Sequence, residues 1–104
     1  MTANTIIYAM NKIITNSRYF LKQLEVIDKF QFVSVQMFAS KKDTRLEFDI
    51  VKMDCECQND FELPLYKKSI TNLIKHLRLI EEQPITLQFT DSETFNVKIC
   101  EMIV

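Results

Sequence analysis

The sequence predicts an α+β fold: an antiparallel sheet of about five strands, built from a β-meander, a helix and a β-hairpin, with one or two N-terminal helices packed on one face. Three observations support it. Apolar residues recur at helical spacing in the N-terminal quarter and again in residues 70–80, and they alternate with polar residues elsewhere. A parallel sheet is disfavoured, because too few of the predicted strands are followed by a crossover helix.

The N-terminal region contains two sets of apolar residues at helical spacing. They are Ile6, Ile7, Met10, Ile13 and Ile14, and then Phe20, Leu21, Leu24 and Ile27. The first set predicts a helix that begins after a cap at Asn4 or Thr5 and continues to about Thr15. One long helix or two short ones over residues 5–28 both fit. A single helix would present a seam through which two copies could associate as a homodimer.

From Phe32 the period of the apolar residues changes to two, which predicts a β-meander. With Ser40 to Asp43 as the first turn, the apolar faces meet in three pairs: Met37 with Leu46, Val35 with Phe48, and Val33 with Ile50. After Ile50 the alternation slips by one residue. This slip predicts either a β-bulge near Ile50–Val51 or one long strand that buries opposite faces along its two halves.

The next segment, "MDCECQND", predicts another hairpin. If residues 58–60 form the loop, Cys57 pairs with Phe61, and Glu56 lies opposite Glu62. Pro64 cannot donate a hydrogen bond to a neighbouring strand, so the strand that contains it is expected at an edge of the sheet.

The C-terminal part predicts a helix and a hairpin. Ser69 is the expected cap of a helix that ends before Pro84. Its buried stripe is Ile70, Leu73, Ile74, Leu77 and Ile80, which leaves Leu79 exposed. With Asp91–Glu93 as the loop, the hairpin pairs Phe89 with Phe95, Leu87 with Val97, and Ile85 with Ile99.

Composition sets limits on function. The chain has 104 residues, of which 47% are hydrophobic, and no repeat or low-complexity tract divides the sequence, so residues 1–104 are expected to form one α+β domain. Glycine is absent, which excludes glycine-rich phosphate loops and dinucleotide fingerprints. The net charge of −1 gives no overall attraction to nucleic acid or anionic membrane, and no apolar run has the length of a membrane helix. The N-terminus has no signal-peptide pattern, so a cytoplasmic protein is expected.

The cysteines are the residues most suggestive of chemistry. Cys55, Cys57 and Cys100, together with His76, could supply four zinc ligands, but their spacings match no zinc motif. Alternation favours Cys55 and Cys57 as buried core residues. The lone histidine has no nucleophile at motif spacing. We therefore expect no metal, no cofactor, no catalytic residue and no enzymatic activity.

Two charged surfaces remain as candidate binding sites. The outer face of the predicted hairpin is anionic and carries Asp54, Glu56, Asp60 and Glu62. An alternative basic surface on the C-terminal helix and its approach carries Lys67, Lys68, Lys75 and Arg78. The first would suit a protein partner with a basic binding site, the second phosphate groups.

The leading functional hypothesis is a small non-catalytic module that binds and neutralises or regulates a partner protein, as toxin-immunity and phage anti-defence inhibitors do. It rests on size and fold class. The alternatives are a nucleic-acid-binding accessory protein, which the balanced charge disfavours, and a secretion-chaperone-like dimer.

Overall fold

A computed structural model describes residues 11–89 and the strand at residues 95–99. The elements in chain order are β1 (Lys12–Asn16), α1 (Ser17–Asp28), β2 (Ser34–Ser40), β3 (Arg45–Glu47), β4 (Lys52–Asp54), β5 (Glu56–Cys57), β6 (Phe61–Tyr66), α2 (Lys67–Arg78), β7 (Pro84–Phe89) and β8 (Phe95–Ile99). The strands form two antiparallel four-stranded sheets, in the orders β5–β1–β7–β8 and β4–β3–β2–β6. The predicted α+β class is confirmed, whereas the single sheet of about five strands is wrong.

The chain passes from one sheet to the other at Cys55. Strand β4 pairs with β3, whereas β5, one residue later, pairs with β1. The Cys55 N–H donates to the Thr44 carbonyl at 2.9 Å and holds the crossing point against the first turn. The predicted pairing of Cys57 with Phe61 is therefore wrong, because Cys57 lies opposite Ile13. Alternation predicted the buried face correctly, since both sheets share one core, but it could not reveal which sheet a strand joins.

Strand β1 replaces the end of the predicted N-terminal helix. The helix predicted to continue to about Thr15 is wrong over Lys12–Asn16, and residues 4–10 of that prediction lie outside the described residues. Ile13 and Thr15 alternate inward with a period of two, a pattern that the helical reading overlooked. The Asn16 side chain caps α1 by accepting hydrogen bonds from two N–H groups of its first turn, both at 3.0 Å. One continuous helix over residues 5–28, and the seam it would present, are therefore excluded.

The β-meander forms with a different register. Ala39, rather than Met37, lies opposite Leu46, a shift of two residues that leaves the same side chains in the core. The turn is residues 41–44, and Thr44 adopts a left-handed conformation with φ of 47°. The alternation slips near Ile50 because the chain reverses there, so the expected bulge and the expected long strand are both wrong. The Phe48 N–H donates to the Val51 carbonyl at 2.7 Å across this reversal.

The C-terminal elements follow the sequence closely. Helix α2 begins at Lys67, two residues before the predicted cap at Ser69, and buries the predicted stripe, with Ile80 half-buried. Leu79 is 84% exposed, as predicted. Strand β6, which contains Pro64, lies at a sheet edge as expected. The three predicted pairs between β7 and β8 are confirmed.

The fold contains a repeat that the sequence did not reveal. Strands β1 and β6 end at Asn16 and Tyr66, α1 and α2 span residues 17–28 and 67–78, β2 and β7 begin at residues 34 and 84, and β3 and β8 begin at residues 45 and 95. In each of these four pairs, the later element follows the earlier one by 50 positions. The halves exchange strands, since β1 pairs with β7 and β6 with β2. No repeat is visible in the sequence, so the correspondence between the halves is one of topology.

Equivalent hydrogen bonds mark this symmetry. The Ser17 N–H donates to the Gln83 carbonyl, and the Lys67 N–H donates to the Val33 carbonyl, both at 2.9 Å. The two helices lie side by side and share a core with both sheets. We call residues 17–29 and 67–79, which are α1 and α2 with the residue that caps each C-terminus, the helix layer.

Candidate functional site

The predicted anionic residues are divided between the two sheets. Asp54 lies opposite Arg45 in the β3–β4 pair, and Glu56 lies opposite Ile14 in the other sheet. Glu62 lies opposite Phe38, so Glu56 and Glu62 do not face each other as predicted. The four carboxylates therefore do not form the single hairpin face that the sequence reading assumed.

Two of these carboxylates make specific hydrogen bonds. Asp60 accepts from the Lys41 N–H at 2.8 Å, and Glu62 accepts from the Gln36 side-chain amide at 2.6 Å. Both line a groove of about 500 Å³ on the outer face of the β4–β3–β2–β6 sheet, where Phe38 is half-exposed. Only Asp60 and Glu62 of the predicted four share such a surface.

Two of the four predicted basic residues are held in ion pairs between the helices. The Lys67 amine lies 3.3 Å from an Asp28 carboxylate oxygen, and the Arg78 guanidinium lies 2.7 Å from the Glu25 carboxylate. The Thr71 hydroxyl also donates to Asp28, at 3.2 Å. These contacts join α1 to α2. Lys67 and Arg78 are therefore already paired, and the charges of Asp28 and Glu25, the two acids of the helix layer, are neutralised.

The remaining cations of the helix layer are exposed and have no side-chain partner among the residues that the structure describes. We call them the free helix cations: Arg18, Lys22, Lys29, Lys68 and Lys75. Arg18 and Lys22 belong to α1 and Lys29 caps its C-terminus; none of the three was among the predicted basic residues. Their spacing of four and seven places them on one side of a helix, and this signal was present in the sequence.

The repeat relates one pair of the free helix cations. Arg18 corresponds to Lys68 at the second residue of each helix, 50 positions apart. Lys75 corresponds to Glu25, the acid that binds Arg78. Glu25, which lies at the position equivalent to Lys75, is already neutralised by Arg78. The helix layer therefore carries five exposed cations and two acids that are both held in ion pairs.

Charge is strongly separated within the molecule. The helix layer contains seven basic and two acidic residues, a net charge of +5. Because the whole chain has 13 basic and 14 acidic residues, the remainder has six basic and 12 acidic residues, a net charge of −6. The overall charge of −1 conceals this separation. Such a surface attracts polyanions even though the protein as a whole is slightly acidic.

The two cysteines of the segment "MDCECQND" are core residues. Cys55 and Cys57 are free and buried, and their thiols lie 3.5–3.9 Å from backbone carbonyl oxygens. Burial, together with the neighbouring Cys57, raises the pKa of the Cys55 thiol to about 12. Burial also raises the pKa of Cys57. Both thiols therefore stay protonated near neutral pH, the form that is a weak nucleophile.

His76, the fourth residue of the hypothetical zinc set, lies in a different environment from the two cysteines. His76 lies exposed on α2, whereas Cys55 and Cys57 face the interior, and Cys100 lies outside the described residues. Within the described part of the chain, no three potential metal-binding side chains are grouped together.

Comparisons with protein-family models, with curated proteins and with solved structures find no match. Among the described residues, no helix has the length and apolar character needed to cross a bilayer. The helix layer, with its five free helix cations, is the candidate site from which function is argued.

Proposed function

We propose that this protein is a nucleic-acid-binding accessory protein that contacts the phosphate backbone through the helix layer. The observation that carries the proposal is the set of five free helix cations beside two acids that are already neutralised by Lys67 and Arg78. Binding to phosphates releases the condensed counterions of the nucleic acid, so affinity arises without recognition of particular bases. The net charge of −1 disfavours this function, but net charge does not report where the charges lie.

The sheets supply a scaffold for this surface. Each helix buries an apolar stripe against the shared core, and interhelical ion pairs fix the two helices side by side. The cations therefore stand on rigid elements, so little order has to be gained by the backbone on binding. Because the rest of the molecule has a net charge of −6, an approaching polyanion would be oriented toward the helix layer.

The test is the salt dependence of binding to a short fluorescently labelled duplex, followed by anisotropy. If all five free helix cations contact phosphates, the slope of log Kobs against log salt concentration is about −4.5, at about −0.9 per contact. Charge reversal at Lys22 and Lys75 should weaken binding and reduce the magnitude of the slope by about 2. The matched control reverses Lys41 and Lys42, which changes the net charge equally but lies in the β2–β3 turn. Equal losses from both pairs would contradict a site on the helix layer.

A second candidate is the protein-binding module, which the groove around Phe38 supports. The half-exposed Phe38 ring lines the groove together with Asp60 and Glu62, a combination that suits a basic segment of a partner protein. Phe38→Ala and Glu62→Lys should each abolish capture of such a partner from the native host, while Glu56→Lys, in the other sheet, should not. Capture that survives the first two substitutions would remove this candidate.

A further inference from the structure

A cavity of about 660 Å³ adjoins the helix layer between α2 and the segment before β2. Six residues line it: Val33, Tyr66, Lys67, Lys68, Ser69 and Asn72. It has an apolar side and a polar side. One of its residues, Lys68, is also a free helix cation, so the cavity is continuous with the proposed phosphate-binding surface.

The apolar side offers a surface for a flat ring. Tyr66 is 39% exposed and Val33 is 80% exposed, so both present apolar surface to the cavity. The neighbouring Lys67 amine is held in place by hydrogen bonds to the Asp28 and Phe30 carbonyl oxygens, and it stands 4.8 Å from the centre of the Phe32 ring. This wall is therefore fixed, and Lys67 is not available as a ligand.

The polar side offers a cation and an amide. Lys68 and Asn72 lie one helical turn apart and are exposed, and neither side chain has a hydrogen-bond or ion-pair partner within the described part of the chain. A lysine amine donates to phosphate oxygens, and an asparagine amide can both donate to and accept from the edge of a base. An aromatic face, a cation and an amide around one open cavity suit the face of a base, the phosphate and the base edge of a nucleotide.

We propose that this cavity binds an unpaired nucleotide of the nucleic acid held by the helix layer. The base stacks on Tyr66, its phosphate contacts Lys68, and Asn72 hydrogen-bonds the base edge. This inference rests on the proposed function and extends it, because it assigns a preference for junctions between duplex and single strand. Stacking on one aromatic side chain corresponds to a gain in affinity of about 5- to 150-fold.

The experiment compares two labelled ligands bound by the full chain: a blunt duplex, and the same duplex with a short single-stranded extension. Wild type should bind the extended duplex about 5- to 150-fold more tightly. Tyr66→Ala should abolish this preference, and Tyr66→Phe, which keeps the ring, should retain it. Tyr19→Ala is the matched control, since Tyr19 is also 39% exposed and lies outside the cavity. Thermal unfolding of each variant establishes that it is folded.

A fluorescent base analogue in the extension provides a second measurement. Stacking on Tyr66 should change its emission in wild type and in Tyr66→Phe, and the change should vanish in Tyr66→Ala. Binding of both ligands with equal affinity, or a preference that survives Tyr66→Ala, would overturn the nucleotide site and leave the phosphate-binding function standing. Failure to bind either ligand would overturn both.

Discussion

The core beneath the helix layer yields the sharpest stability prediction. Leu24 of α1 and Ile74 of α2 occupy equivalent positions of the repeat, 50 residues apart, and both are buried, Leu24 completely. Replacing either with alanine removes three carbon atoms from the core. At about 0.8 kcal/mol for each carbon, the transfer contribution is about 2.4 kcal/mol, and the cavity left behind brings the total to about 2–5 kcal/mol.

This loss is a large part of the stability of a domain this size. Native domains are stable by about 5–15 kcal/mol, so Leu24→Ala and Ile74→Ala should each fold but unfold at lower urea concentration. A loss of 1 kcal/mol lowers Tm by about 4–8 °C for a domain of this length, so a fall of at least about 10 °C is expected. Urea denaturation followed by circular dichroism measures the free energy directly.

The control is Val26→Ala, because Val26 lies on the same helix with its side chain half-exposed. It should cost well under 1 kcal/mol, the range of most surface substitutions. If Leu24→Ala were as mild as Val26→Ala, the helices would not be packed on the sheets as described. If only one of Leu24→Ala and Ile74→Ala were costly, the two halves would not be equivalent in their packing.

Three further predictions concern the caps, the turns and the thiols. Asn16→Ala should lower the free energy of unfolding by about 1 kcal/mol because it removes the cap of α1, and Asn16→Ser should restore most of it; an undiminished midpoint in urea would contradict the capping role. Thr44→Gly should raise stability by about 0.5–1 kcal/mol, since a β-branched residue is strained at a φ of 47°; a lower melting temperature would argue against that strain. The pKa of the Cys55 thiol is about 12 in the folded protein and about 8.5 in the unfolded chain. The contribution of Cys55 to the free energy of unfolding is therefore complete below about pH 8.5 and is lost as the pH rises toward 12. The free energy of unfolding, measured by urea denaturation, should fall between about pH 8 and about pH 10.5, and it should fall less in Cys55→Ala than in wild type. An identical fall in Cys55→Ala would refute the raised pKa of Cys55.

The sequence predicted burial better than it predicted pairing. Alternation identified Met37, Leu46 and Cys57 as core residues, and all three are buried. It assigned the wrong partner to each, because a shift of two residues or a change of sheet leaves the same side chains inward. The β7–β8 register was predicted correctly, since a short loop between Phe89 and Phe95 left few alternatives.

The candidate site was predicted only in part, for a similar reason. Lys68 and Lys75 were chosen correctly as exposed cations of a helix, but the sequence could not show that Lys67 and Arg78 are occupied by acids of α1. Those acids lie 39 and 53 positions away in the chain, and no local pattern reports such contacts. Arg18 was within reach of the sequence, through its spacing from Lys22.

The exchange of strands between the two halves has a consequence for how the chain folds. Residues 12–16 pair with residues 84–88, and residues 34–39 pair with residues 61–66, so neither half contains a complete sheet. Neither helix can be covered until distant segments have met, which makes folding all-or-none and slow for a domain of this length. A chain cut in the connection between β5 and β6 would yield two fragments that are unfolded alone and fold only on mixing. The topology of the protein resembles that of a strand-exchanged dimer, with the two halves joined in one chain.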